Sequence, residues 1–208
     1  GSGSYSANKR AMEERLLGDG RLPVTVLRPC AIHGPGSSSP RELWPLVRAR
    51  AGRPFVPLAF DGESTFHTTS ATNLAELIRV VAADPASRIV NHGDPEPLPV
   101  REIVPLVAAA IGHRLEVVTF AGPSPGDGVG ESPWAVPLPF VVDMSAAAGL
   151  GYRPVTGYPA AVVDTCGWLG EALDSAPTWE EAFPKMAELY GPHFADYAAE
   201  DAWLAAHR

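Results

Sequence analysis

The chain has 208 residues, 46% of them hydrophobic and 19% charged, which suits one globular core or two small interleaved ones. A formal net charge of −8 and a pI near 5.2 argue against a nucleic-acid partner, whose phosphates call for clustered Lys and Arg. No apolar run approaches the ~20 residues of a membrane helix and no charged-then-apolar leader stands at the start, so no membrane partner is expected and the chain reads as soluble and cytoplasmic.

Gly1-Ser2-Gly3-Ser4 reads equally as natural sequence or as a linker. Helix-forming residues then run to Leu17, opening on Tyr5-Ser6-Ala7-Asn8-Lys9. Residues four apart share a helix face, so the Tyr5 phenol and the Lys9 ammonium can act on one carbonyl or carbinol, the cation making the phenol a usable acid or base. After Gly18-Asp19-Gly20, the β-branched run Leu22 to Pro29 reads as a buried strand and leads into a turn at Cys30-Ala31-Ile32-His33-Gly34-Pro35-Gly36. Arg41 to Arg50 reads as a short helix, and Pro54 to Leu58 and Thr65 to Thr69 as brief strands around an Asp61-Gly62 turn.

Leu74, Leu77, Ile78 and Val81 carry the i, i+3, i+4, i+7 spacing of an amphipathic helix over Thr72 to Ala83, and Arg88 to Asn91 follows as a strand. The same spacing returns from Val100 to Ile111, where Gly112 suits a C-terminal cap and Pro105 should kink or shorten the helix. Leu115 to Phe120 reads as a strand, and Ala121 to Pro139 as a long loop of the kind that usually serves function. The aromatic-rich tail from Thr178 reads as two helices packed on the body or on a partner subunit. Alternating strands and helices imply an α/β fold with a mostly parallel sheet.

Tyr-x-x-x-Lys, a strand ending Leu27-Arg28-Pro29 and the Gly34-Pro35-Gly36 turn stand in an order that resembles the C-terminal portion of an extended short-chain dehydrogenase/reductase, the NAD-dependent epimerase/dehydratase family. Phe60-Asp61-Gly62, Ser70-Ala71-Thr72-Asn73-Leu74-Ala75, Ile89-Val90-Asn91-His92-Gly93 and Leu150-Gly151-Tyr152-Arg153-Pro154 extend the likeness to about Leu169. The resemblance implies a partial Rossmann-type parallel sheet with a smaller C-terminal substrate-binding domain. Residues 1–36 would be the remnant of the nucleotide-binding domain, 37–177 the substrate region with an interleaved return strand and helix, and 178–208 a helical tail.

The implied chemistry is hydride transfer with NAD or NADP at a carbinol or carbonyl of a sugar-like or other small molecule, making the chain part of an oxidoreductase, epimerase or dehydratase. Tyr5 would be the general acid or base, with Lys9 lowering its pKa and holding the nicotinamide ribose. Lys9, Pro29, Cys30 and Ile32 would line the cofactor, and Ala31, His33, Phe66 and His67 the substrate. Most of the cofactor site, including the glycine-rich pyrophosphate turn, would precede residue 1, so the chain alone should be inactive. A homodimer or association with the N-terminal half is expected.

Many sugar-nucleotide members carry an Arg that clamps diphosphate near the His-Val-x-Asp helix start; here the local sequence is Phe66-His67-Thr68-Thr69, with Asn73 where the Asp would stand. An apolar Phe66 cannot bind a diphosphate, which favours a smaller or less charged substrate. The two cysteines, Cys30 and Cys166, form neither a disulfide framework nor a metal motif, and the six histidines show no metal-ligand spacing, so no metal is expected. Two other readings remain open: a non-catalytic protein that kept the fold to bind a metabolite or partner, and a scaffolding domain that assembles through its aromatic tail.

Overall fold

The structure is a computed structural model that describes residues 2–207; Gly1 and Arg208 lie outside the described residues. Helix α1 (Ser2–Gly18) opens the chain, so the Tyr-x-x-x-Lys element is helical and Ser2 to Ser4 belong to its first turn. From Ser4 to Gly18 only Glu13 and Leu17 are even half-buried, and Met12 and Leu16 are exposed.

Strand β1 (Thr25–Pro29) pairs in parallel with β5 (Arg88–His92), Thr25 opposite Arg88 and Pro29 opposite His92. At Cys30 the chain changes partner. Its backbone N–H donates to the His92 carbonyl at 3.1 Å, and the next amide, Ala31, donates to the His67 carbonyl at 3.0 Å. Residues read as a turn therefore include a third strand, β2 (Ala31–His33), parallel to β4 (Thr68–Ser70). Strand β3 (Phe55–Leu58) pairs in parallel with β6 (Glu116–Thr119). The two strands expected around Asp61-Gly62 do form, but each pairs with a distant segment and not with the other.

That turn has its own geometry. Phe60, Asp61 and Gly62 all take positive φ, 54°, 56° and 69°, and a Cβ on Gly62 would meet the Arg101 Cβ at 2.8 Å. Glycine alone fits the third position, and the left-handed run turns the chain sharply at the end of β3.

The main core lies between α2 (Leu43–Arg50), α4 (Val100–Ala110) and α6 (Tyr158–Asp174), with Trp44, Leu58, Ile103, Trp134 and Leu169 fully buried in it. Helix α4 runs on through Pro105, at the loss of one backbone donor. A smaller core joins Leu77 and Val81 of α3 (Ala71–Ala83) to Val90, to Tyr152 and to Ala147 of α5 (Ser145–Gly149). The tail forms α7 (Trp179–Ala182), α8 (Pro184–Tyr190), a 3-10 segment at Gly191–Ala195 and α9 (Tyr197–His207), more pieces than the two helices expected. Pro184 starts one helix and Gly191-Pro192 ends it, because proline cannot continue a helix already under way. No helix among the described residues is long and apolar enough to cross a membrane.

Candidate functional site

In open parallel sheets ligands gather outside the carboxyl ends of the strands. Here those ends are Pro29 and His92, and the residues that follow, Cys30 to His33 and Gly93 to Asp94, form the centre of the candidate site.

Asp94 organises it. Its buried carboxylate accepts from His33 Nε2 at 2.9 Å and Thr68 Oγ1 at 2.8 Å on one oxygen. On the other it accepts from the Ser70 N–H at 2.8 Å and Asn73 Nδ2 at 3.0 Å. Burial pushes this carboxyl up, but the bonds from His33, Ser70 and Asn73 outweigh it and hold the group at about 2. Asn73, buried at the start of α3, also donates to the Thr156 carbonyl at 2.9 Å and accepts from the Val155 N–H at 2.9 Å. Ser70 caps α3, its hydroxyl accepting from the Asn73 N–H at 3.1 Å. His33 Nδ1 is buried without a hydrogen-bond partner among the described residues, and its ring lies 4.8 Å from that of Tyr158.

His67 is buried beside this cluster. A carbonyl only accepts, so its Nε2 donates to the Asp94 carbonyl at 2.8 Å, and Nδ1 accepts from the Val142 N–H at 3.4 Å. Gly93 packs flat against that imidazole; a Cβ there would stand 2.3 Å from the ring. His67, Gly93, Tyr152, Val142 and Met144 line a largely apolar cleft of about 480 Å³, and His33, Ser70, Thr72 and Asp164 contribute polar groups to a smaller mixed one of about 230 Å³.

The other expected residues fall in two places. Pro29, Cys30 and Ala31 are half-buried and Ile32 is exposed, all at the carboxyl end of β1. Burial pushes the Cys30 thiol up to about 11, which suits a packed thiol better than a nucleophile. Phe66 is half-buried, its ring 4.8 Å from Phe140 and 4.2 Å from the Arg41 guanidinium carbon.

Tyr5 and Lys9 lie on α1, with Lys9 Nζ 5.6 Å from the Tyr5 ring centre and Tyr5 65% exposed. The same four-residue spacing leads on to Glu13, which forms an ion pair with Arg28 on β1, Arg28 Nε lying 3.0 Å from Glu13 Oε1. One stripe of α1 thus carries the phenol, the ammonium and the carboxylate that anchors the helix beside the end of β1.

Among the described residues no group of three or more potential metal ligands is found. Among the described residues no strand leads through a Gly-x-Gly-x-x-Gly turn into a helix. Asp94 and Arg41 were not anticipated from sequence. No local sequence signal points to Asp94, because its donors His33, Thr68, Ser70 and Asn73 come from separate segments that meet only in the fold.

No family model matches this sequence. A 2-alkyl-3-oxoalkanoate reductase of Stenotrophomonas maltophilia is 34% identical over 118 residues, covering 52% of this chain and 34% of that protein. Among solved structures, UDP-glucose 4-epimerase from Thermus thermophilus in complex with NAD is 22% identical with a TM-score of 0.60, over 79% of this chain and 53% of that one. The dTDP-glucose 4,6-dehydratase of Streptomyces venezuelae, solved with NAD bound, gives 22% and 0.58 over 83% and 52%. UDP-glucuronic acid 4-epimerase from Bacillus cereus gives 14% and 0.59 over 78% and 50%. The chain spans about a third of the curated relative and about half of these solved structures. At such identities the solved structures establish a Rossmann-like α/β fold.

Proposed function

We propose that this chain is the C-terminal, substrate-side portion of an NAD(P)-dependent oxidoreductase, epimerase or dehydratase that works together with a nucleotide-binding half. The observation that carries the reading is the placement of the Tyr5, Lys9 and Glu13 stripe: its last member is bound to Arg28, one residue before the strand end where ligands of parallel sheets collect. The 34% identical reductase supports the same class of chemistry.

In this reading residues 1–36 complete the nucleotide-binding domain, 37–177 form the substrate region and 178–208 a helical tail. A bound nicotinamide supplies or accepts the hydride. Tyr5 exchanges a proton with the reacting oxygen, and Lys9 beside it holds the nicotinamide ribose. Pro29, Cys30 and Ile32 face the nicotinamide; Ala31, His33, Phe66 and His67 act on the substrate side, the two histidines by shaping the wall through Asp94. The compartment is cytoplasmic in this reading, and the assembly is a homodimer or a pairing with the nucleotide-binding half.

The test uses the intact protein that carries this chain, with NADH or NADPH and a panel of 2-alkyl-3-oxoalkanoates and nucleotide sugars. Tyr5→Phe should lower turnover at least ~10²-fold with an unchanged melting temperature. Lys9→Met should also weaken cofactor binding. Full activity in both variants would mean that the pair is a solvated helix face, and the reading would fail.

A further inference from the structure

Ten arginines of the described residues reach a carboxylate, and Arg41 is not among them. Its guanidinium carbon sits 4.2 Å from the centre of the Phe66 ring, and its Nη1 is buried with no hydrogen-bond partner among the described residues. Glu42, the acid next to it in sequence, is turned elsewhere: it is buried and accepts from the Tyr158 hydroxyl at 3.2 Å. Burial pulls the Arg41 pKa below its ordinary value, opposed by Tyr190, Glu42 and Cys30, yet a guanidinium stays charged at any working pH. Arg41 is half-buried, and a guanidinium edge that is buried on an aromatic face without an acceptor is costly unless something supplies one. The Phe66 and Phe140 rings, 4.8 Å apart, add an apolar wall on the same side.

We infer that Arg41 is the anchor for an oxyanion of the substrate, a carboxylate or a phosphate, whose apolar portion lies against Phe66 and Phe140. The inference rests on the proposed substrate-side role of this region. It also alters what position 66 implies: the phenylalanine brings no charge of its own, but Arg41 returns a cation to its ring. A guanidinium binds a carboxylate or a phosphate through two parallel N–H bonds, so the chemistry is common to a 3-oxoacid and to a sugar nucleotide.

Calorimetric titration of the intact protein that carries this chain with 3-hydroxydecanoate, its methyl ester and UDP-glucose tests the assignment. The acid or the sugar nucleotide should bind at least ~10-fold tighter than the ester, as expected for a charge-assisted pair. Arg41→Gln should erase that preference and leave the ester within about 2-fold of its original affinity, while Arg41→Lys keeps part of it. Dependence on Arg41 for the acid alone identifies a carboxylate, and for UDP-glucose alone a phosphate. If neither anion binds, if acid, ester and UDP-glucose bind alike, or if Arg41→Gln weakens all three equally, Arg41 is not the anchor. Binding is read here without turnover, so an Arg41-dependent preference stands even if Tyr5→Phe stays fully active. A Tyr5-dependent reaction likewise stands even if Arg41→Gln binds all three probes as the wild type does.

Discussion

Asp94 joins four donors from three elements, His33 on β2, Thr68 and Ser70 on β4, and Asn73 on α3. Its carboxyl sits at about 2 in the folded chain against 3.8 ordinarily, so the charged form is favoured by folding. The contribution, roughly 2 kcal/mol, is complete above the unfolded value and is lost as pH falls through the folded one. Thermal melts of the wild type should therefore steepen their decline below pH 4. Asp94→Asn should lower stability at pH 7 by about 2–4 kcal/mol, because an amide NH2 would face other donors, and should flatten that acid limb. An unchanged acid limb in the variant would mean that another carboxylate sets it.

At the scale of elements, α9 is fastened to α2 through a buried pair. Arg48 Nε lies 2.9 Å from Glu200 Oε1, its Nη1 donates to the Trp44 carbonyl at 2.9 Å, and its guanidinium covers the Trp44 ring at 3.7 Å. Arg53 and Asp201 add a second link at the rim. Removing one member of a buried pair strands the other, so Arg48→Met should cost about 3–5 kcal/mol in urea unfolding, and Arg48→Met with Glu200→Leu should recover most of it. Simple additivity of the two single variants would show that the residues do not act as a pair.

The same elements show what was legible in advance. Helices α3 and α4 carry a clear 3.6-residue apolar period, β1 falls in the β-branched stretch from Leu22 to Pro29 and β5 holds the Ile89-Val90 pair, so local sequence located all four. Strand β2 has three residues inside a Gly-Pro turn, too few for a period of two to show. The partners of β3 and β4 are set by parallel pairing with β6 and β2, and the Asp61-Gly62 turn between them carries no information about segments beyond it. Asp94 escaped notice for a related reason, since its donors meet only after three separate segments have packed. That Tyr5 and Lys9 share one helix was legible because the run of helix-forming residues to Leu17 is local and contiguous.

For the whole molecule, the described strands form three separate parallel pairs and not one continuous ladder, and β1 has β5 as its sole strand partner among the described residues. Its other edge presents unpaired backbone groups beside an exposed α1. With no turn among the described residues to hold a pyrophosphate, the 208-residue chain should show no binding of NADH or NADPH at micromolar concentration by calorimetry. A micromolar Kd for this chain would mean that Lys9 and the end of β1 suffice.

If Tyr5 is the acid or base of the proposed function, α1 has the geometry of a lever arm. From Gly18 back to Tyr5 is thirteen residues, about 20 Å at 1.5 Å per residue. A tilt of ~10° about the Gly18-Asp19-Gly20 pivot would carry the phenol through roughly 3–4 Å, as much as the whole ~3 Å span across which a proton can pass. Under the proposed function, the aim of Tyr5 and Lys9 is therefore set by whatever rests along the flank of that helix, so a contact remote from the reacting atoms moves the hydroxyl into or out of range.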